Sequence, residues 1–338
     1  MGTDQPHSTR SQPYLDVAIV GLGDIGRAHI DAVQRAHSTR LAALVDIDPA
    51  RIEAVQPIVD CPTFTSLEDM LAGSDVDMVM VCTPDHLHVE PVRAACAAGK
   101  HVFLEKPIAT TLEDITAIET AIADAGVAFT VGHCLRFDPK YVEVKRRIDA
   151  GDLGDIVSVY ARRQNRTITP RRLGGRISSV MFLGVHDIDI LNWYMGRAPV
   201  AVYSTTANPV MKSFGFEIDD ITWTTIRYEA GSIGVVESGW LLPENYPRTG
   251  HFALVAMGTR GLANLDEFDE GLSIANEQYA HIPLTDRLTP QIEHFARAIL
   301  DDRPPLVSAS DARLAVEVAL AAERSAREHT EIQLASLA

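Results

Sequence analysis

The stretch from Asp16 to Asp46 constrains this chain most. Asp16-Val17-Ala18-Ile19-Val20 reads as a short buried strand, and Gly21-Leu22-Gly23-Asp24-Ile25-Gly26 follows with no spacer. A helix pattern then starts, with Ile25, Ala28, His29, Ala32, Val33 and Ala36 on one face. A second apolar strand, Leu41 to Val45, ends at Asp46, twenty residues after Gly26. Strand, glycine turn, helix, strand and acid in this order predict a dinucleotide-binding βαβ unit rather than a merely structural glycine turn.

Each glycine has a physical task. Gly21 permits the tight turn, Gly23 lets a pyrophosphate approach the backbone, and Gly26 lets the helix pack closely on the sheet. The helix start, with Asp24 and Ile25, offers free N–H groups to phosphates. Asp46 is placed to accept hydrogen bonds from the hydroxyls of an adenosine ribose. A 2′-phosphate would meet like charge there, and Ile47, Asp48 and Pro49 follow with no arginine among them. NAD is therefore expected over NADP, with Arg51 the residue that could still reach a phosphate.

At 338 residues the chain has room for two domains. Its formal charge of −16 argues against nucleic-acid or anionic-membrane binding. No apolar run reaches the length of a membrane span. Residues 1–13 are polar, lack the apolar core of a signal peptide, and read as a flexible tail. Cys61, Cys82, Cys96 and Cys134 show no CxxC spacing and suit the thiols of a reducing cytosol. The twelve histidines show no HExxH or paired metal spacing, so no metal is expected.

Short apolar strands and helices alternate as far as Val131, which predicts an α/β domain over 14–133 with a doubly wound parallel sheet. Ser66 and Thr111 read as helix caps, and Gly99 and Gly126 as helix stops. A helix is expected over 85–98. Beyond residue 133 the strands lengthen and helices become few. Strands are expected at 156–163, 201–206, 221–228, 232–240 and 251–257, with helices at 139–150, 186–195, 290–301 and 311–327. This predicts an α+β domain over 134–338 with a mostly antiparallel, open sheet.

In a doubly wound sheet, ligands bind beyond the carboxyl ends of the strands. Gly21 to Gly26, Cys82-Thr83-Pro84-Asp85-His86 and Glu105-Lys106-Pro107 occupy such ends. A lysine directly after a buried strand and before a proline is stiffly mounted. Beside a nicotinamide it could hydrogen-bond a substrate oxygen and relay its proton. The alternative is an ordinary surface lysine.

The blocks GLGDIGRAH, VCTPDHLH, GKHVFLEKPIA, VGHCLRFDPKY and GVHDIDILNWYMG, in this order, resemble the Gfo/Idh/MocA family of sugar and inositol oxidoreductases. The resemblance covers nearly the whole chain from about residue 14. It implies a nicotinamide enzyme with a Rossmann domain and a C-terminal sheet domain through which dimers or tetramers form. By position, Lys106 would be the catalytic lysine, often followed by a cis bond, and His186 the active-site histidine with Asp189 beyond it. His86 and His88 would belong to the loop that passes near the nicotinamide. The family often has an aspartate four residues before the histidine; here Phe182 stands there. Asp187 is a poor substitute, since an adjacent helical residue points elsewhere. His186 could instead be a capping or core histidine.

Arg136, at the end of the sixth strand, either fixes the domain junction or touches substrate. Between Ile156 and His186 there are six arginines and no acid: Arg162, Arg163, Arg166, Arg171, Arg172 and Arg176. They form either a solvated loop or subunit contact, or a clamp in which Arg172 or Arg176 holds an anionic group of the substrate. Together these features predict an NAD-dependent dehydrogenase acting on a secondary alcohol of a sugar, sugar derivative or inositol. A hydride-recycling enzyme with tightly held cofactor and a non-catalytic NAD sensor are the alternatives.

Overall fold

The computed structural model describes residues 14–266, 271–275, 279–282 and 286–336. The flexible tail expected at residues 1–13 lies outside the described residues. Strand β1 (Leu15–Val20) is buried along its whole length, as expected of a strand covered on both faces. It pairs in parallel with β2 (Thr39–Val45) on one side and β4 (Met78–Val81) on the other. With β3 (Thr63–Phe64), β5 (His101–Leu104) and β6 (Phe129–Val131) the order is β3-β2-β1-β4-β5-β6, all parallel. The chain direction across the sheet reverses between β1 and β4, and a crevice opens there beyond the strand ends.

The crossover helices form where their caps and apolar faces dictate. Helix α1 (Asp24–Arg35) buries His29, Ile30, Ala32 and Val33, and α2 (Pro49–Val55) is capped by Asp48. Helix α3 (Leu67–Gly73) is capped by Ser66, whose side chain accepts from the Asp69 N–H. The helix expected over 85–98 divides into a single turn at Asp85–Leu87 and helix α4 (Val89–Ala97). Thr111 caps α5 (Leu112–Ala125), and Gly126 ends it at φ 63°, a left-handed conformation that glycine adopts without strain.

The second sheet has nine strands. Helix α6 (Pro139–Asp149) leads into β7 (Ile156–Arg166), then α7 (Ile168–Arg172), α8 (Val185–Met195), β8 (Pro199–Ala207) and α9 (Pro209–Ser213). Strands β9 (Ile221–Tyr228), β10 (Ile233–Leu242), β11 (Gly250–Gly258), β12 (Leu262–Asp266), β13 (Gly271–Ala275) and β14 (Tyr279–Ile282) follow. Helices α10 (Leu288–Leu300) and α11 (Ala309–Glu328) and strand β15 (Ile332–Gln333) close the chain. Strands β7 and β10 are parallel neighbours; the other pairs are antiparallel.

Helices α8 and α11 cover one face of this sheet. The buried alanines Ala312, Ala315, Ala319 and Ala322 let α11 lie close to its neighbours. On the other face lie Tyr203, Trp223, Ile233 and Met257, exposed by 43–47%. Helix α10 returns to the first sheet, where Ile292 and Phe295 share a core with Ile30, Val33 and Phe103. Among the described residues no helix is long and apolar enough to cross a membrane.

Candidate active site

A cleft of about 1670 Å³ runs from the glycine turn to the inner side of the second domain. Gly21 sits at its rim with φ 95°, and a Cβ there would lie 2.7 Å from the Cys82 carbonyl oxygen. A Cβ on Gly26 would fall 1.9 Å from the Gly21 carbonyl oxygen, so the first turn of α1 packs on the loop only as glycine. Gly23 differs. Its nearest neighbour in that direction is Arg51 Nη1 at 3.8 Å, so a side chain there would enter open cleft. Asp24 and Ile25 begin α1 beside it and also line the cleft.

Asp46 is buried at the end of β2. Its Oδ2 accepts from the Leu22 N–H at 2.7 Å and its Oδ1 from the Asp48 N–H at 2.9 Å. The carboxylate therefore holds the glycine loop as well as facing the cleft. Arg51 stands 3.6 Å from it. Across the switch point, Cys82, Thr83, Pro84 and His86 also line the cleft. His88 does not line it. Both its ring nitrogens lie near backbone carbonyls, of Thr83 at 3.1 Å and Ile108 at 3.3 Å, so it ties two loops together.

Beyond β5, the Lys106–Pro107 bond is cis. Glu105 is buried against His29 at 2.6 Å and accepts from the Lys106 N–H at 3.1 Å. Lys106 Nζ donates to the Phe182 carbonyl at 2.8 Å and lies 4.2 Å from the centroid of that ring. Burial pulls the Lys106 pKa below its ordinary value of 10.5, partly offset by Glu105.

Phe182 comes from a π-helical turn, Val180–Gly184, that runs directly into α8, so the helix begins earlier than the expected 186–195. His186 lines the cleft with Phe182, and its Nδ1 has no hydrogen-bond partner among the described residues. Burial holds its pKa well below 6.5, and Lys106 and Arg163 add repulsion. The neutral imidazole is thus favoured and can accept a hydrogen bond.

The other sequence candidates fall elsewhere. Arg136 and Asp189 form a buried two-point ion pair at 2.9 and 2.7 Å behind the cleft, and neither lines it. Arg136 also approaches the Leu306 carbonyl at 3.4 Å and Asp311 at 3.3 Å, which ties α8 to the start of α11. Asp187 is paired with Arg163 at 2.7 and 2.9 Å. Arg172 pairs with Asp24, and Arg176, which lines the cleft, pairs with Asp85. These two ion pairs join the arginine-rich segment to the glycine turn and to the loop after β4. The sequence pattern did not single out Arg287 and Thr249 as site residues, yet both line the cleft.

A six-stranded dinucleotide sheet with a lysine and a histidine facing its crevice defines a two-domain nicotinamide oxidoreductase. The family model described as "Oxidoreductase family, NAD-binding Rossmann fold" matches residues 15–133, and the GFO/IDH/MocA C-terminal domain matches 141–264. The chain belongs to this Gfo/Idh/MocA oxidoreductase family. It is 28% identical over 332 residues to the inositol 2-dehydrogenase of Rhizobium meliloti, covering 94% of this chain and 98% of that one. It is 27% identical to the scyllo-inositol 2-dehydrogenase (NAD(+)) of Bacillus subtilis, covering 94% and 95%. In fold it is similar to the putative myo-inositol dehydrogenase from Sinorhizobium meliloti, with a TM-score of 0.83 at 26% identity over 95% and 99% of the two chains. The fold is shared at a TM-score of 0.82 with the Lactobacillus casei scyllo-inositol dehydrogenase solved with bound NAD(H) and scyllo-inositol, at 22% identity over 95% and 99%.

The residues present fit NAD. Gly23 leaves the space that a pyrophosphate needs, α1 supplies the helix start, and Asp46 presents a carboxylate where an adenosine ribose would lie.

Proposed function

We propose that this NAD-dependent oxidoreductase interconverts a secondary alcohol and a ketone on a cyclic polyol, with Lys106 and His186 as its proton-handling pair. One observation carries this proposal. Both side chains line the same cleft as the glycine turn, and both have pKa values lowered by burial. NAD bound at the glycine turn supplies the hydride acceptor.

Lys106 is steered by its neighbours. Glu105, fixed by His29, holds the backbone at the lysine, and the Phe182 carbonyl receives one ammonium proton. The unprotonated amine accepts the hydroxyl proton in the oxidative direction, and the ammonium returns it in reduction. His186, neutral and with Nδ1 unbonded, holds the substrate hydroxyl beside it. Phe182 and Leu183 exclude water from one wall of the cleft.

The inositol dehydrogenases among the relatives support a ring polyol as substrate. Tyr203, Trp223, Ile233 and Met257 are exposed on one face of the large sheet, and a homodimer or homotetramer through that face is part of this proposal. Four unpaired cysteine thiols suit a cytosolic location. NADH formation at 340 nm against a panel of inositols and sugars tests the function. Turnover of at least one ring polyol is expected; no turnover across the panel, with NAD bound, overturns it.

A further inference from the structure

The second-domain side of the cleft carries cations and no acid. Its described lining includes Arg163, Arg176 and Arg287, and no aspartate or glutamate from residue 134 onward. Two of the three guanidiniums are neutralised: Arg163 by Asp187, at 2.7 and 2.9 Å, and Arg176 by Asp85. Arg287 makes no ion pair among the described residues.

Its position makes that lack of pairing notable. Arg287 is the N-cap residue of α10, where the helix dipole disfavours a cation. Asp286 caps the same helix instead, accepting from the Leu288 and Thr289 N–H groups, and faces Arg35 at 3.7 Å. Arg163 repels Arg287. The thiol of Cys134, its strongest electrostatic neighbour, is held in the uncharged form by burial. Asp138 is the carboxylate that attracts it from a distance, and that group already caps α6. A half-buried guanidinium under these conditions lacks a counter-anion that a ligand can bring.

Among its described lining residues this wall offers a neutral polyol only uncharged acceptors, on Asn165, Thr249 and His186. Phe182 presents an apolar ring there, and its carbonyl is already bonded to Lys106. The local charge is one uncompensated guanidinium, which matches a carboxylate better than a doubly charged phosphate.

We propose that Arg287, backed by Arg163, Asn165 and Thr249 in the same lining, binds a substrate carboxylate, so that the physiological substrate is a sugar acid of the uronate or aldonate class. This assignment rests on the cleft being a polyol dehydrogenase site and narrows its substrate.

The test compares matched pairs, such as glucuronate with glucose and galacturonate with galactose, on wild-type protein and on Arg287→Gln and Arg287→Lys. Binding to the NAD-loaded protein is measured by calorimetry and turnover by NADH formation. The acid is expected to exceed its neutral partner by at least about tenfold in affinity and in kcat/KM, as a charge-assisted two-point contact implies. Arg287→Gln should bring the acid-to-neutral ratio toward one, mainly through KM, and Arg287→Lys should restore part of it. Equal binding of both members, an unchanged ratio in Arg287→Gln, or tighter binding of a sugar phosphate than of the acid overturns the carboxylate site. Acid binding without hydride transfer supports the anion site and removes the dehydrogenase function, so the two failures are distinguishable.

Discussion

Lys106 Nζ donates to the main-chain carbonyl of Phe182 at 2.8 Å and sits 4.2 Å from the centre of the same residue's ring. One residue thus supplies both a hydrogen-bond acceptor and an aromatic face to the amine. Neither carries a formal charge, so desolvation prevails and the lysine pKa falls. A carboxylate in place of the ring would reverse the balance. Phe182→Asp is expected to raise the Lys106 pKa by about 1–3 units, the usual effect of an opposite charge at this range. The pH profile of kcat/KM for oxidation should move to higher pH by the same amount. An unmoved profile would show that Lys106 does not set it.

Replacing Lys106 itself tests the proton step. Lys106→Met should lower kcat by at least about a hundredfold, the scale of an acid–base group, while NAD affinity stays nearly unchanged. In the wild type, oxidation needs the free amine. Its rate should therefore rise with pH through the lowered Lys106 pKa and level off below 10.5. Ketone reduction needs the ammonium and should fall through the same pKa. Both limbs should vanish in Lys106→Met. Initial rates across pH in both directions are the measurement.

The sequence exposed the parts of this site whose demands are local. Gly21 is required by its own φ of 95° and Gly26 by its contact with Gly21, demands that lie within one turn, so the glycine pattern shows them directly. Lys106 is legible because a strand, an acid and a proline surround it. The partners of Glu105, Arg163 and Arg136 lie 76, 24 and 53 residues away, and no local spacing reveals such pairs. The strands β12 to β14 lack a readable pattern, being five residues or fewer, with Asn and Asp in β12 and Gly at the start of β13. Arg287 left one readable signal, an arginine at a helix start where cations are disfavoured. The arginine-rich segment reads either as a solvated loop or subunit contact or as an anion clamp at Arg172 and Arg176, and acids of the first domain answer both arginines.

The buried Arg136–Asp189 pair provides a stability prediction that separates structure from binding. Both side chains are almost fully enclosed, at 4% and 1% exposure, and bonded through two contacts. Arg136→Met would leave Asp189 buried with little compensation. Breaking such a pair costs about 3–5 kcal/mol, whereas replacing both partners by apolar side chains costs far less. Urea denaturation should therefore show Arg136→Met well below Arg136→Met/Asp189→Leu. The substrate KM of the folded single variant should stay near that of the wild type. A large rise in KM with unchanged stability would place Arg136 in substrate binding.

Asp46 should decide the cofactor. Its carboxylate lines the cleft, accepts from the Leu22 and Asp48 N–H groups, and has Arg51 at 3.6 Å. A 2′-phosphate brought to this point would face a fixed negative charge, and like charges in a partly buried site are repelled by several kcal/mol. Wild-type kcat/KM is therefore expected to favour NAD over NADP by at least about tenfold. Asp46→Ser keeps an oxygen that can accept from the loop and removes the charge. It also frees Arg51, whose guanidinium then has a phosphate as its best partner. The variant should lose activity with NAD and gain it with NADP, bringing the ratio close to one. Paired kinetics with the two cofactors read this directly, and a wild-type preference for NADP would remove Asp46 from the role of selecting acid.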